Sequence, residues 1–176
     1  MIGLERYLTP YKLGRPVLTG SGIPGAFDEL AVDCPFVFEH HNQFTMMFVG
    51  FDGHGDQTGL AHSTDLLHWE KLGILLRRGE GNPWDSANAA GAWLLCENDL
   101  ERPRTLKKWQ GKYWKAYHSY PGEGYEIGPA RIGLAWSDRF LRRLAPLAKI
   151  SRADPSGGSG RHTRQHSCPQ TCRNPA

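Results

Sequence analysis

The residues able to do chemistry fall into four groups. Two acids each stand two positions before a proline, in Asp33-Cys34-Pro35 and in Glu101-Arg102-Pro103. An acid so placed either caps the turn before the proline or offers its carboxylate to a ligand. Arg102 adds a guanidinium suited to a carboxylate or to hydroxyl groups. Asp52, His54 and Asp56 crowd the stretch Gly50 to Gly59, which reads as a ligand-contacting loop or as a polar hairpin turn. Asp85 and Asn88 form a third group that either lines a cleft or makes an Asp-Ser turn, and His118 closes the aromatic run from Tyr117. The fourth group is His162, His166, Cys168 and Cys172, ligand types spaced within reach of one zinc ion. No Val, Ile, Leu, Phe, Tyr or Trp follows Ile150 to build a shell around it. Neither a metal nor a cofactor is therefore expected. Cys34 and Cys96 stand in strand-like contexts and read as buried free thiols.

These residues need a scaffold, and the chain of 176 residues is long enough for one domain with a sizeable core. Hydrophobic residues are 39% and charged residues 22%, the balance of an ordinary globular protein. Gly 21 and Pro 12 favour short strands and many turns over long helices. No apolar run is long enough to span a membrane, and Met1 to Gly20 lacks the apolar core of a secretion signal. The expected compartment is the reducing cytoplasm, with no disulfides and no membrane partner.

The net charge of +3 hides two unlike segments. Residues 1–138 carry 13 Lys+Arg against 17 Asp+Glu, whereas residues 139–176 carry 8 against the lone acid Asp154. The basic character belongs wholly to the tail, so the folded body gives no reason to expect a nucleic-acid partner. The tail is too poor in apolar residues to offset its ordering entropy and is expected to be disordered. The spacing of Leu141, Leu144, Leu147 and Ile150 allows at most a helical turn or two.

An internal repeat organises the body. Asp33-Cys34-Pro35, Phe44 to Phe48 and Gly59-Leu60-Ala61 recur in order as Glu101-Arg102-Pro103, Tyr113 to Tyr117 and Gly133-Leu134-Ala135, at offsets of 68, 69 and 74 residues. Drift of this size is what loop insertions produce between equivalent strands. Each copy reads as successive strands: Phe36 to Phe38, Phe44 to Phe51 and a third ending at Ser63 in the first, then Thr105-Leu106, Tyr113 to Tyr120 and a third ending at Ser137 in the second. The expected fold is all-β, about two four-stranded antiparallel blades of a β-propeller, over residues 31–73 and 101–138.

The motifs resemble those of the five-bladed β-propeller glycoside hydrolases, families 43, 32, 62, 117 and 130, over roughly residues 15–138. The likeness lies in the acid-x-Pro start of a blade, in Gly111-Lys112-Tyr113-Trp114-Lys115-Ala116-Tyr117, in Ser63-Thr64-Asp65-Leu66-Leu67-His68-Trp69 and in Trp84-Asp85-Ser86. The resemblance implies that Asp33 is the first-blade carboxylate, a base or nucleophile, and that Glu101 is a substrate-binding or supporting acid. It implies substrate contacts for Arg102, Asp52, His54, Asp85 and Asn88, and a phosphate-holding role for His118 were the chain a phosphorylase. Trp69, Trp93, Trp109, Trp114 and Trp136 are expected in core and inter-blade packing. The implied partner is a carbohydrate, and the implied reaction is hydrolysis of O-glycosidic bonds. A phosphorylase and a non-catalytic carbohydrate-binding propeller are the alternatives.

The family's general acid comes from a later blade, and only two blades are recognisable here. The repeat breaks after Asp138, where a basic Ser/Pro/Arg-rich text replaces the expected fourth strand. This break is what a truncated, frameshifted product would show, and another acid-x-Pro blade in an adjacent reading frame would confirm it. Two blades cannot close a ring, so open strand edges, exposed inter-blade faces and little or no hydrolysis are expected.

Overall fold

Apolar strands separated by glycine- and aspartate-rich turns pair into two antiparallel sheets. The computed structural model describes Leu8 and residues 11–81, 84–140 and 148–149. No helix occurs among them. The first sheet is a meander of β1 (Ala31–His40), β2 (Gln43–Phe51), β3 (Asp56–Ser63) and β4 (Glu70–Leu76), in that spatial order. The second comprises β5 (Ala90–Leu94), β6 (Lys108–Trp109), β7 (Lys112–Ser119), β8 (Arg131–Ser137) and β9 (Ala148–Lys149). Its order is β5-β7-β8-β9, with β6 also paired to β7. The chain adopts the expected all-β architecture of two antiparallel blades, the second reaching five strands because one of its four is split into β5 and β6.

The core explains why β2 reads as an apolar run rather than an alternation. Met47 and Leu60 face the second sheet and pack with Phe38, Leu76, Leu94 and Tyr117. Met46, Phe48 and Ala61 face the other way, where Leu18, Phe27, Val32 and Trp69 cover them. A strand buried on both faces needs apolar side chains at every position. The outer face of the second sheet has no such cover among the described residues. There Ile132 is 82% exposed and Trp93 36% exposed, as expected of an inter-blade face left open.

Strand register bears out the repeat over its second and third blocks. Phe48 lies opposite Gly59 across β2 and β3, and Tyr117 lies opposite Gly133 across β7 and β8. Both glycines make room for a ring: a methyl group at Gly59 would stand 2.6 Å from Phe27, and one at Gly133 would stand 2.6 Å from Tyr117 and Trp84. The Ser-x-Asp-Leu motif is a turn device. Ser63 Oγ accepts from the Asp65 and Leu66 N–H groups, and Asp65 Oδ1 accepts from those of Leu67 and His68 at 2.8 Å.

The first block of the repeat is corrected. In the first sheet β1 is one strand along β2, from Ala31 opposite Phe51 to His40 opposite Gln43, with a single register shift between Asp33 and Phe36. In the second sheet the corresponding strand is split: β5 pairs with the far half of β7 and β6 with its near half. Residues 95–107 are inserted between them, and the Thr105-Leu106 segment lies in that insertion rather than beginning the blade. Counting back from the hairpin therefore matches Glu101 to Asp33 in sequence but not in space. Asp33 lies opposite Val49, and the register-equivalent pair is Ala90 opposite His118.

The expectation of a strandless tail also needs revision at one place. Ala148 and Lys149 pair with Trp136 and Ala135, and so supply the short fourth strand of the second sheet instead of a helical turn. The remaining disordered-tail and frameshift expectations, and the motif His162, His166, Cys168 and Cys172, lie outside the described residues.

Candidate functional site

The site begins with a bulge. Between Asp33 and Phe36 the pairing of β1 with β2 shifts register, so that Cys34 and Pro35 together oppose a single residue of β2. Pro35 has no N–H for a ladder, and β1 is an edge strand where that loss is tolerated. Cys34 takes φ 47°, a left-handed conformation uncommon for a residue with a side chain. Bulges of this kind re-aim side chains next to functional sites. Asp33 is exposed and lines two adjoining hollows. One, of about 190 Å³, is walled by Leu18, Val32, Pro35, Met46 and Phe48; the other, of about 210 Å³, by Ala31, Val49, Phe51 and Tyr125.

Tyr125 arrives from the other sheet. The β7–β8 connection crosses over the β2–β3 connection, where the Gly124 N–H donates to the His54 carbonyl at 2.7 Å. The Tyr125 ring meets Phe51 edge-on at 6.0 Å, and its hydroxyl stands 3.5 Å from Asp33 Oδ2. Glu126 follows at φ 55°, also left-handed. The charges of Glu126 and then Asp33 raise the Tyr125 hydroxyl above its ordinary value. Neither Tyr125 nor Glu126 stands out in the sequence. The Gly122-x-Gly124 and Gly128-Pro129 punctuation marks a tight loop, but only the fold brings that loop to Asp33.

Asp56 is the buried member. It opens β3, is 3% exposed, and its Oδ1 has no hydrogen-bond partner among the described residues. Burial first, then the charges of Asp33 and Glu126, push its carboxyl up to about 6. Its backbone is held between the sheets: the Asp56 N–H donates to Asn88 Oδ1 at 2.8 Å, and the Ala89 N–H donates to the Asp56 carbonyl at 2.8 Å. Asp52 behaves oppositely. Burial alone would raise it, but hydrogen bonds from Arg78 and from the Gly55 and His54 N–H groups hold it below the usual carboxylate range. Arg78 Nη2 sits 2.5 Å from Asp52 Oδ2, so this ion pair staples the loop. His54 is exposed at the loop tip.

The other expected site residues go elsewhere. Glu101 and Arg102 are on the insertion, where the Glu101 N–H donates to Asp99 Oδ1 and Arg102 Nε pairs with Asp99 Oδ2 at 3.3 Å. The insertion joins β1 at Glu39, whose N–H donates to the Arg104 carbonyl. Glu39 is six residues beyond Asp33, roughly 15–20 Å along the strand. Asp85 and Asn88 are buried rather than lining a cleft. Asp85 accepts from the Tyr117 hydroxyl at 2.9 Å, and Asn88 donates to the Tyr120 and Gly122 carbonyls. Both brace the loops that carry the site. His118 shares a face with Ile132, its partner on β8, and that is the open face turned from the first sheet. Trp93 and Trp109 are exposed on that sheet, whereas Trp69 packs into the core as expected. Cys96 is buried as expected, but the bulge leaves Cys34 exposed.

The arrangement offers an exposed carboxylate, a buried carboxyl raised above the ordinary range, and two aromatic rings beside a hollow of about 210 Å³. Among the described residues no group of three or more His, Cys, Asp or Glu is placed to hold a metal ion.

No protein-family model matches the chain, and no curated protein matches it. Solved structures do. One, described as a glycoside hydrolase, is 26% identical with a TM-score of 0.69, over 85% of this chain and 43% of that one. Another, described as a complex of BT0996 with RGII, is 26% identical with a TM-score of 0.64, over 78% of this chain and 41% of that one. A structure from the GH130 family of mannoside phosphorylases and hydrolases is 16% identical with a TM-score of 0.53, a likeness of fold alone. The chain thus spans about two fifths of the length of the first two. Its fold is that of two successive blades from a glycoside hydrolase β-propeller.

Proposed function

We propose that these two blades carry the base or nucleophile of a site that hydrolyses O-glycosidic bonds in oligo- or polysaccharides, with Asp33 as that carboxylate. The observation behind the reading is the place of Asp33: an exposed carboxylate at a bulge of the edge strand β1, between two hollows, beside the rings of Phe51 and Tyr125. Aromatic rings pack against sugar faces, and carboxylates accept from sugar hydroxyls. An ionised carboxylate there takes a proton from the attacking water or attacks the anomeric carbon itself. A second, protonated carboxyl must give its proton to the departing oxygen. Asp56 is too buried to reach a leaving group as it stands. That proton donor is assigned to the portion of such a propeller that this chain does not span, so the chain alone binds sugar with little or no turnover.

Asp33→Asn tests the reading in two settings. In this chain it weakens sugar binding about tenfold, the loss of one charge-assisted hydrogen bond. In a full-length relative of the same fold it abolishes hydrolysis. Unchanged hydrolysis in that relative would sink the assignment, and binding retained with no turnover to lose would favour a non-catalytic carbohydrate-binding propeller. The phosphorylase alternative draws no support from His118 on the far face, or from a hollow whose nearby charges are mostly carboxylates. Dependence of turnover on inorganic phosphate would restore it.

A further inference from the structure

We infer that the apolar hollow beside Asp33 receives an aromatic ring carried on the C6 hydroxyl of the bound sugar, so that the site takes aromatic acyl esters of sugars ahead of unsubstituted ones. The inference rests on the carbohydrate reading above and adds to it a second binding pocket and a substrate class.

The two hollows lie on opposite faces of β1 and share Val32 and Asp33. Side chains alternate across a strand, so Val49 and Phe51 of β2 face the side of Tyr125 while Met46 and Phe48 face the other. The two sides differ in what they can bond. Tyr125 offers a hydroxyl on the first. On the second, Asp33 is the one polar side chain among the described residues that line the hollow. Met46 and Phe48 form a buried floor, Leu18 and Val32 are half-buried walls, and Pro35 stands exposed at the rim with no N–H to give. A sugar ring lodged there would leave most of its hydroxyls against groups that neither donate nor accept, at a cost for each. A hydrocarbon ring pays no such cost and gains by leaving water. Volume decides the size of the occupant. An apolar cavity of about 150 Å³ takes up benzene, and this hollow measures about 190 Å³. The Met46 thioether and the Phe48 ring suit an aromatic neighbour. Because β1 is an edge strand and Asp33 is exposed at its bulge, a ligand passes from one hollow to the other over that edge. The exocyclic C6 hydroxyl stands clear of the sugar ring, and its substituent is the one that reaches across.

The test uses the full chain and the methyl glycosides of galactose, glucose and mannose in both anomers, each alone and with a 6-O-benzoyl group. Within a pair only the benzoyl group differs. Binding is followed by NMR chemical-shift titration. The benzoylated member of at least one pair binds about tenfold more tightly than its parent, and it shifts Leu18 and Val32 besides Asp33 and Tyr125. The parent shifts Asp33 and Tyr125 and leaves Leu18 in place. Leu18→Trp fills the hollow, erases the gain and leaves the parent's affinity unchanged. Benzyl alcohol alone shifts Leu18 and Val32 of the wild-type chain, a readout that depends on no variant folding. Equal binding within every pair, a gain that survives Leu18→Trp, or no response of Leu18 to benzyl alcohol overturns the inference while leaving the carbohydrate reading intact. Failure of every glycoside to move Asp33 or Tyr125 overturns the reading and the inference with it.

Discussion

Replacing Asp56 by asparagine removes a carboxyl whose ionisation the fold opposes. In the unfolded chain an aspartate titrates near its ordinary value of 3.8, while in the folded protein Asp56 is pushed up to about 6. The folded state therefore holds a proton across that interval that the unfolded state has released. Its contribution to stability is full below the unfolded value and is lost as pH rises through the folded one. A displacement of about two pH units corresponds to about 3 kcal/mol, a sizeable share of the stability of a small domain. Asparagine has nearly the same shape and does not ionise, so Asp56→Asn loses this pH dependence and is the more stable protein above pH 7. Urea denaturation followed by tryptophan fluorescence, at half-unit steps from pH 4 to 8, measures both curves. Because Asp33, Asp52, Glu126 and Arg78 stay in place, the difference between the curves isolates Asp56. If wild type and variant run parallel across that range, the carboxyl is not desolvated as the structure has it, and the argument from its burial fails.

Two further outcomes follow from the same region. Asn88→Ala removes the acceptor of the Asp56 N–H and the donor to two carbonyls, all at a fully buried side chain. It is expected to cost about 2–4 kcal/mol in chemical denaturation, and a loss under about 1 kcal/mol would mean the sheets do not depend on it. Cys34 is accessible, but partial burial of its thiol and then the charge of Asp33 push it up to about 11. It should therefore react with iodoacetamide at pH 8 at least about tenfold more slowly than a free cysteine peptide, and Asp33→Asn should speed it up. A wild-type rate equal to the peptide's would contradict that placement.

Much of the fold is legible because strand pairing leaves local marks. The aromatic and apolar runs of β2 and β7, the Gly-Leu-Ala segments within β3 and β8 and the Ser-x-Asp turn are each set by neighbours within a hairpin. For Asp33 the acid two positions before a proline marks only a turn, and its proposed role comes from the resemblance. Glu101 misleads because the same three-residue pattern arises inside an insertion, and local text does not say whether a strand is continuous or split. Asp85 and Asn88 read as polar residues near a turn, but their burial is a property of how two sheets stack. Trp93 and Trp109 are expected inside because tryptophan usually is, and they lie on a face that the described residues leave open.

The amino-acid sequence by itself therefore determined the all-β class and the hairpin blocks of the two-blade repeat, since each follows from contacts between residues close along the chain. Tertiary structure alone decided the rest of the site. Tyr125 lies more than ninety residues from Asp33, and it meets it because the two sheets bury Phe38, Met47, Leu60 and Tyr117 between them. That burial brings the β2–β3 and β7–β8 connections to the same end, where the carboxyl groups must share one small volume. Their altered ionisation comes from lost water and from each other's charge, and neither exists until the sheets have packed.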